Sequence, residues 1–462
     1  MTRRLRHGAL ATLVALAVVA GCGSPAPSAS PRPASPTAAT DGSAASPSGP
    51  SGVASSSAAP TSAPATATCS QANPQAAFSP RPIGPDDPNA ALLARIETAV
   101  EAIRGITATR AVPRYTLDQA GLCAFLRESL ARDNPPAQVA ATEALYKQLD
   151  LMPAGASLEA TYLDLLTSQV VGFYDQRSKA MYVVASSGAM GPAEEITYAH
   201  EFDHALQDQR FGLQAVVGDA KDQGDRTLAR TALVEGDATL AMSLWAQRSL
   251  TPSQLMQIAG ATDPASQAAL NAAPAILRET LLWPYTQGLS YVLSAYQTSA
   301  SFVGVDALWQ HPPDTTAQLL HPDKLASRKP AVAVTLPTGL AKRLGAGWSV
   351  AMEDTLGELQ LNILMRTGDP GAGSDPAAGW AGDRVALVEG PKGARAAVVD
   401  TAWDSATAAG SAFDQLGQLA ARLNAEGKHA AVLTPSPQRV VLLSADAAAT
   451  LSAVANALGL AG

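Results

Sequence analysis

Apolar residues recur at spacings of three and four along much of the chain, with Leu93, Ile96, Val100 and Ile103 the clearest run. That period is helical, and it predicts helices over about Asn89–Arg104, Leu117–Arg132, Pro136–Leu149 and Ser157–Val170. Two further amphipathic stretches cover about Glu194–Phe211 and Arg226–Leu250. Pro284 has no amide hydrogen to give a helix, so it is expected to part a helix over Pro274–Leu282 from another over Thr286–Gln297. Val171–Tyr174 and Met181–Val184 flank a polar turn and read as a β-hairpin, with Met181–Val184 expected at the exposed edge. Toward the C-terminus, Arg395–Thr401, Ala430–Leu433 and Val440–Ser444 read as strands, and Ala406–Asn424 and Asp446–Leu458 as helices. The fold class expected is α+β, mostly helical, with a smaller C-terminal α/β region and no internal repeat.

The start of the chain follows a different pattern. Arg3, Arg4 and Arg6 precede an apolar run from Ala9 to Ala20, too short to span a bilayer comfortably, so residues 1–21 read as an export signal. The run ends Val19-Ala20-Gly21-Cys22, which resembles the bacterial lipobox. The resemblance implies cleavage before Cys22 and a diacylglyceryl group on its sulfur. The mature chain would then sit lipid-anchored on the extracytoplasmic face, at the cell surface or in the periplasm, touching the membrane through that lipid only. Residues 22–69 are nearly all Ser, Pro, Ala, Thr and Gly, lack the apolar residues a core needs, and read as a disordered tether.

The remainder is long enough for a large core and divides into a part over 70–335 and the C-terminal region over 336–462. Formal net charge is −8, and loss of the three leader arginines would take it to about −11. No Lys/Arg block is present, which argues against nucleic acid as a partner. Beyond Cys22 there are two cysteines, Cys69 and Cys123. Outside the cytoplasm they are expected to pair, the alternative being a buried free thiol at Cys123.

Candidate chemistry concentrates in His200-Glu201-Phe202-Asp203-His204. A four-residue step on a helix sets both imidazoles on one face, one turn apart, with Glu201 roughly 100° round. This is the HExxH arrangement of zinc hydrolases, two neutral nitrogen ligands and an adjacent base. With 6 histidines in 462 residues, chance would produce it in roughly one such chain in a few hundred. Pro192, Glu194 and Glu195 suit a helix N-terminus. Tyr198, Phe202 and Leu206 form an apolar stripe opposite the histidines.

Zinc needs a third protein ligand. The extension HExxHxxGxxH fails at Gln207 and Arg210, which leaves Asp219, Asp222, Asp225, Glu235 and Asp237 as acidic candidates. Glu235 is favoured because it lies in the apolar helical run Ala232–Ala238, where an unpaired carboxylate is costly and a metal removes that cost. Gly236 beside it suggests close approach of another element, since glycine within a helix costs about 1 kcal/mol against alanine. Asp237 would orient a histidine behind the metal or replace Glu235 as ligand.

These segments, with Gly172-Phe173-Tyr174-Asp175, Trp283-Pro284-Tyr285, Pro312-Pro313 through His321-Pro322, Gly379 through Arg384, and Trp403-Asp404, resemble a group of bacterial zinc metallopeptidase lipoproteins of the gluzincin type. The resemblance covers nearly all of the chain beyond the tether. It departs at Asp203, where such helices more often carry Thr or Val. It implies a zincin-like core, Zn2+ held by His200, His204 and Glu235, Glu201 as general base, and a peptide or protein substrate. Tyr285 and His321, both expected in polar breaks between helices, are the candidates for the group that steadies the oxyanion, although either fits an ordinary structural role. His311 and His429 have no such context. The alternatives are a catalytically inactive zincin-like surface binding protein, and a transporter's solute-binding lipoprotein, which the helical middle and HExxH argue against.

Overall fold

Local signals start and stop the helices much as expected. The computed structural model describes Cys69, residues 76–184, 189–218, 222–260 and 264–460. The leader, Cys22 and nearly all of the tether lie outside them. Strand β1 (Arg81–Pro82) leads into α1 (Ala90–Arg104), which ends on Gly105 at φ 72°. After β2 (Arg114–Leu117) come α2 (Gln119–Asp133), α3 (Pro136–Gln148) and α4 (Leu158–Gln169). Asp118 and Ser157 cap α2 and α4 by accepting from the amides of Gly121 and Ala160. Strands β3 (Gly172–Asp175) and β4 (Ala180–Val184) form the expected hairpin. The motif helix α5 (Pro192–Arg210) opens with Pro192 in its first turn, and Glu194 Oε2 accepts from the Gly191 amide at 3.0 Å.

The four-stranded sheet has the order β1-β2-β4-β3. Strand β4 pairs with β3 on one side and, in parallel, with β2 on the other, so Met181–Val184 is interior and Gly172–Asp175 is the edge. The expected edge is therefore corrected. The cause is β2, a four-residue strand whose short Arg-Tyr-Thr-Leu run carries too little alternation to announce itself.

Short α6 (Leu213–Val217) precedes the long α7 (Gly224–Ser249), and α8 (Pro252–Gly260) and α9 (Pro264–Ala272) follow. Next, α10 (Ala275–Ser299) runs unbroken through Pro284, overturning the expected break. Proline in a helix interior costs about 3 kcal/mol. Here Leu281, Pro284, Gly288, Tyr291 and Val292 form one buried stripe, so packing outweighs that loss. The stripe crosses α7 at glycine: a Cβ built on Gly236 would stand 2.2 Å from the Gly288 backbone.

Five shorter helices follow, α11 (Phe302–Gln310), α12 (Thr316–Leu320), α13 (Pro322–Ala326), α14 (Leu340–Leu344) and, after β5 (Ser349–Asp354), α15 (Gly357–Gly368). The second sheet is antiparallel, in the order β5-β6-β7-β9-β8, with β6 (Trp380–Glu389), β7 (Arg395–Trp403), β8 (His429–Ser436) and β9 (Arg439–Ala445). Helices α16 (Ala406–Ala425) and α17 (Ala448–Leu458) cover opposite faces. Val385, Leu387, Val399 and Leu442 pack with Leu416 and Leu423, whereas Val388, Val398, Val441 and Leu443 pack with Val454. This is the alternation a strand imposes. The first of those clusters also contains Leu122, Leu145, Leu166, Phe173 and Tyr285, so the C-terminal sheet shares one core with the N-terminal helices. Cys69 and Cys123 are disulfide-bonded. Among the described residues no helix is long and apolar enough to cross a membrane.

Candidate metal centre

Helix α5 is buried on every side from Ile196 to Asp208, more deeply than a two-faced pattern implies. Tyr198, Phe202 and Leu206 enter the apolar cluster shared with α1 and α7, as their stripe suggests. The imidazoles face α7 and α10. His200 Nε2 lies 3.1 Å from His204 Nε2 and 3.2 Å from Glu235 Oε2, and His204 Nε2 lies 3.4 Å from the same carboxylate oxygen. A tetrahedral zinc ion bonded at 2.0–2.1 Å holds its ligand atoms roughly 3.3 Å apart. Two imidazole nitrogens and one carboxylate oxygen converging at these separations fit such an ion.

Protonation fits as well. Burial alone would raise the Glu235 carboxyl, yet the two imidazoles hold it well down. Burial alone would lower His204, yet Glu235 and Glu201 push it up. His200 is lowered, chiefly by burial. The shifts of Glu235 and His204 both favour a charged imidazole beside a charged carboxylate, so a cation entering there would displace a proton.

Glu201 is set by the edge strand. Its Oε2 accepts from the Tyr174 amide at 2.8 Å, and its Oε1 lies 3.9 Å from His200 Nε2 with no hydrogen-bond partner among the described residues. Burial, partly countered by His204, raises its carboxyl to about 8. His200 Nδ1 likewise has no partner. Tyr285 belongs to this group even though it sits inside α10 rather than in a break, with its ring 5.9 Å from that of His200.

His321 does not join them. It pairs with Glu358 and lies 3.7 Å from Asp375, a group that could itself offer three ligand atoms to a cation. Glu358 also meets Lys324 at 3.3 Å, so much of its charge is already balanced. Asp237 differs from expectation too. Its Oδ2 accepts from Arg104 Nη2 and from Trp309 Nε1, each at 2.8 Å, and it orients no histidine. Arg104 is buried, lies 2.7 Å from Asp306 and 3.9 Å from Asp203, and stands over the Phe302 ring. Asp203 thus faces this arginine and is raised to about 7 by burial and by Asp237. Among the other acids, Asp225 accepts from Thr316 at the start of α7, well before Glu235 along that helix, and Asp219 lies outside the described residues.

Residues 343–455 match a family model described as a domain of unknown function, DUF8575. That stretch begins after the converging donors and contains Glu358 and Asp375 but none of His200, Glu201, His204 or Glu235. No curated protein and no solved structure matches the chain.

Gln207 matters to this site, yet in the sequence it stands out only as a mismatch to the extended motif. Its Oε1 meets His204 Nδ1 at 3.0 Å, and the side chain is fully buried. The one available clue is its place on the helix, one turn beyond Asp203 and three residues beyond His204.

Proposed function

We propose that the chain is an exported, lipid-anchored zinc peptidase of gluzincin type, hydrolysing peptide bonds with Glu201 as general base. The observation that carries this reading is the convergence of His200, His204 and Glu235 within 3.1–3.4 Å, with the free oxygen of Glu201 beside them. A bound zinc ion would supply Lewis acidity toward water and the peptide carbonyl. The protein's own groups do the rest. The Tyr174 amide holds one oxygen of Glu201 and leaves the other to take a proton from the attacking water and return it to the leaving amine. The Tyr285 hydroxyl is the candidate donor to the oxyanion, since its ring lies against His200. Strand β3 carries the Tyr174 amide at one edge of its sheet but is buried along its length, so strand-like pairing of an extended substrate there would need movement.

A second reading, a zincin-like binding protein without turnover, is favoured by one observation. His200, Glu201, His204 and Glu235 are all buried, at 2–9% exposure, which leaves a substrate little room without movement. Metal analysis together with peptide-library cleavage separates the two. Glu201→Gln should keep zinc and lose cleavage. Stoichiometric zinc with no cleavage by the unmodified protein would favour the binding protein.

A further inference from the structure

The amide of Gln207 joins three elements of the site. Its Nε2 donates to Asp203 Oδ2 at 2.8 Å and to the Val234 carbonyl at 3.1 Å, so its Oε1 is the atom that faces His204 Nδ1. An acceptor at that position requires the proton of a neutral His204 to sit on Nδ1, which leaves the Nε2 lone pair directed at Glu235 and His200. Val234 is the residue before Glu235, so the same side chain also ties the two ligand-bearing helices together. Asp203, Gln207 and Val234 are buried, and water cannot substitute for the lost bonds.

We propose that Gln207 is a positioning residue for the metal centre, held in its one useful orientation by Asp203, and that it fixes the tautomer and the ring angle of His204. The proposal rests on the zinc reading and extends it, by giving Asp203 a function. The chain Asp203–Gln207–His204 runs acceptor, donor–acceptor, donor. Its polarity can be reversed at the Asp203 link: Asp203→Asn supplies a donor and Gln207→Glu accepts from both sides, with only the bond to the Val234 carbonyl given up.

The test compares the full-length protein with Gln207→Met, Asp203→Asn/Gln207→Glu and Glu235→Ala, using zinc affinity by chelator competition and the visible spectrum of the cobalt-substituted protein. Outer hydrogen-bond partners of metal-bound histidines are worth about 10- to 100-fold in affinity. Gln207→Met should therefore bind zinc about 10- to 100-fold more weakly and shift the cobalt bands, while the double variant recovers affinity to within a few-fold. A merely structural role for Gln207 would leave the cobalt spectrum of folded Gln207→Met unchanged. An unchanged spectrum with unchanged affinity overturns the proposal while leaving the zinc reading intact. If Gln207→Met does not fold, the double variant decides: recovery supports the proposal, and a loss as large as that in Glu235→Ala overturns it. Absence of zinc binding by the unmodified protein removes both the zinc reading and this one.

Discussion

Replacing Gly288 by alanine should damage the protein even though alanine is the better helix former. A Cβ at residue 288 would lie 2.0 Å from the Ala232 carbonyl oxygen and 3.1 Å from the Gly236 amide nitrogen. Real Cβ atoms essentially never approach other atoms within 3.0 Å, so α10 must retreat from α7 by about 1 Å. Helix propensity gains about 1 kcal/mol, whereas overpacking of this kind costs about 1–3 kcal/mol and sometimes more. With backbone rather than a flexible side chain on the far side, the upper end applies, for a net loss of roughly 2 kcal/mol. Metal ligands tolerate only about 0.2 Å of misplacement, and Glu235 and Tyr285 lie on these helices one residue and three residues from the crossing. Urea unfolding and zinc titration of Gly288→Ala should both show the defect. Gly417→Ala on α16 is the control. A Cβ there meets nothing within 4 Å, and the substitution should stabilise by up to about 1 kcal/mol. If Gly288→Ala matched Gly417→Ala in stability and kept its metal affinity, backbone contact at the crossing would be refuted.

Arg104→Met should cost about 3–5 kcal/mol in urea unfolding, because Asp203 and Asp237 would stay buried without their counter-charge. Cys123→Ser opens a loop of 54 residues and should lower stability by about 4 kcal/mol, with the same loss when reductant is added to the unmodified protein. Zinc affinity should rise with pH through neutrality by about tenfold per unit, because His204 is raised, carries a proton in the metal-free protein and must release it. A pH-independent affinity would show that no proton is displaced. The cleavage rate should likewise rise with pH as Glu201 ionises, its carboxyl being raised by burial, with the midpoint falling below 8 once a cation is bound.

Much of this site can be read from residues alone. The pairing of His200 with His204 follows from the helical period. Glu235 follows from the cost of an unpaired acid in an apolar run, and Gly236 marks a close helix crossing that the structure places opposite Gly288. What escapes depends on partners distant in the chain. Arg104 lies 133 residues from Asp237, and no local pattern announces that pair. Pro284 stays helical because of what α7 offers it, and β4 is interior because of β2. Strands β5 and β6 are not legible because both faces of their sheet are covered. Their apolar residues therefore run together, as in Val385–Val388, instead of alternating.

The shared core has a consequence for how the polypeptide matures. Phe173 and Tyr285 lie in the same apolar cluster as Val399 and Leu442, so a nascent chain ending before the last strands leaves that surface open. Such a fragment would already carry every proposed zinc ligand, yet it would be sticky and prone to aggregate. Synthesis of the last strands would then have to precede loading with metal.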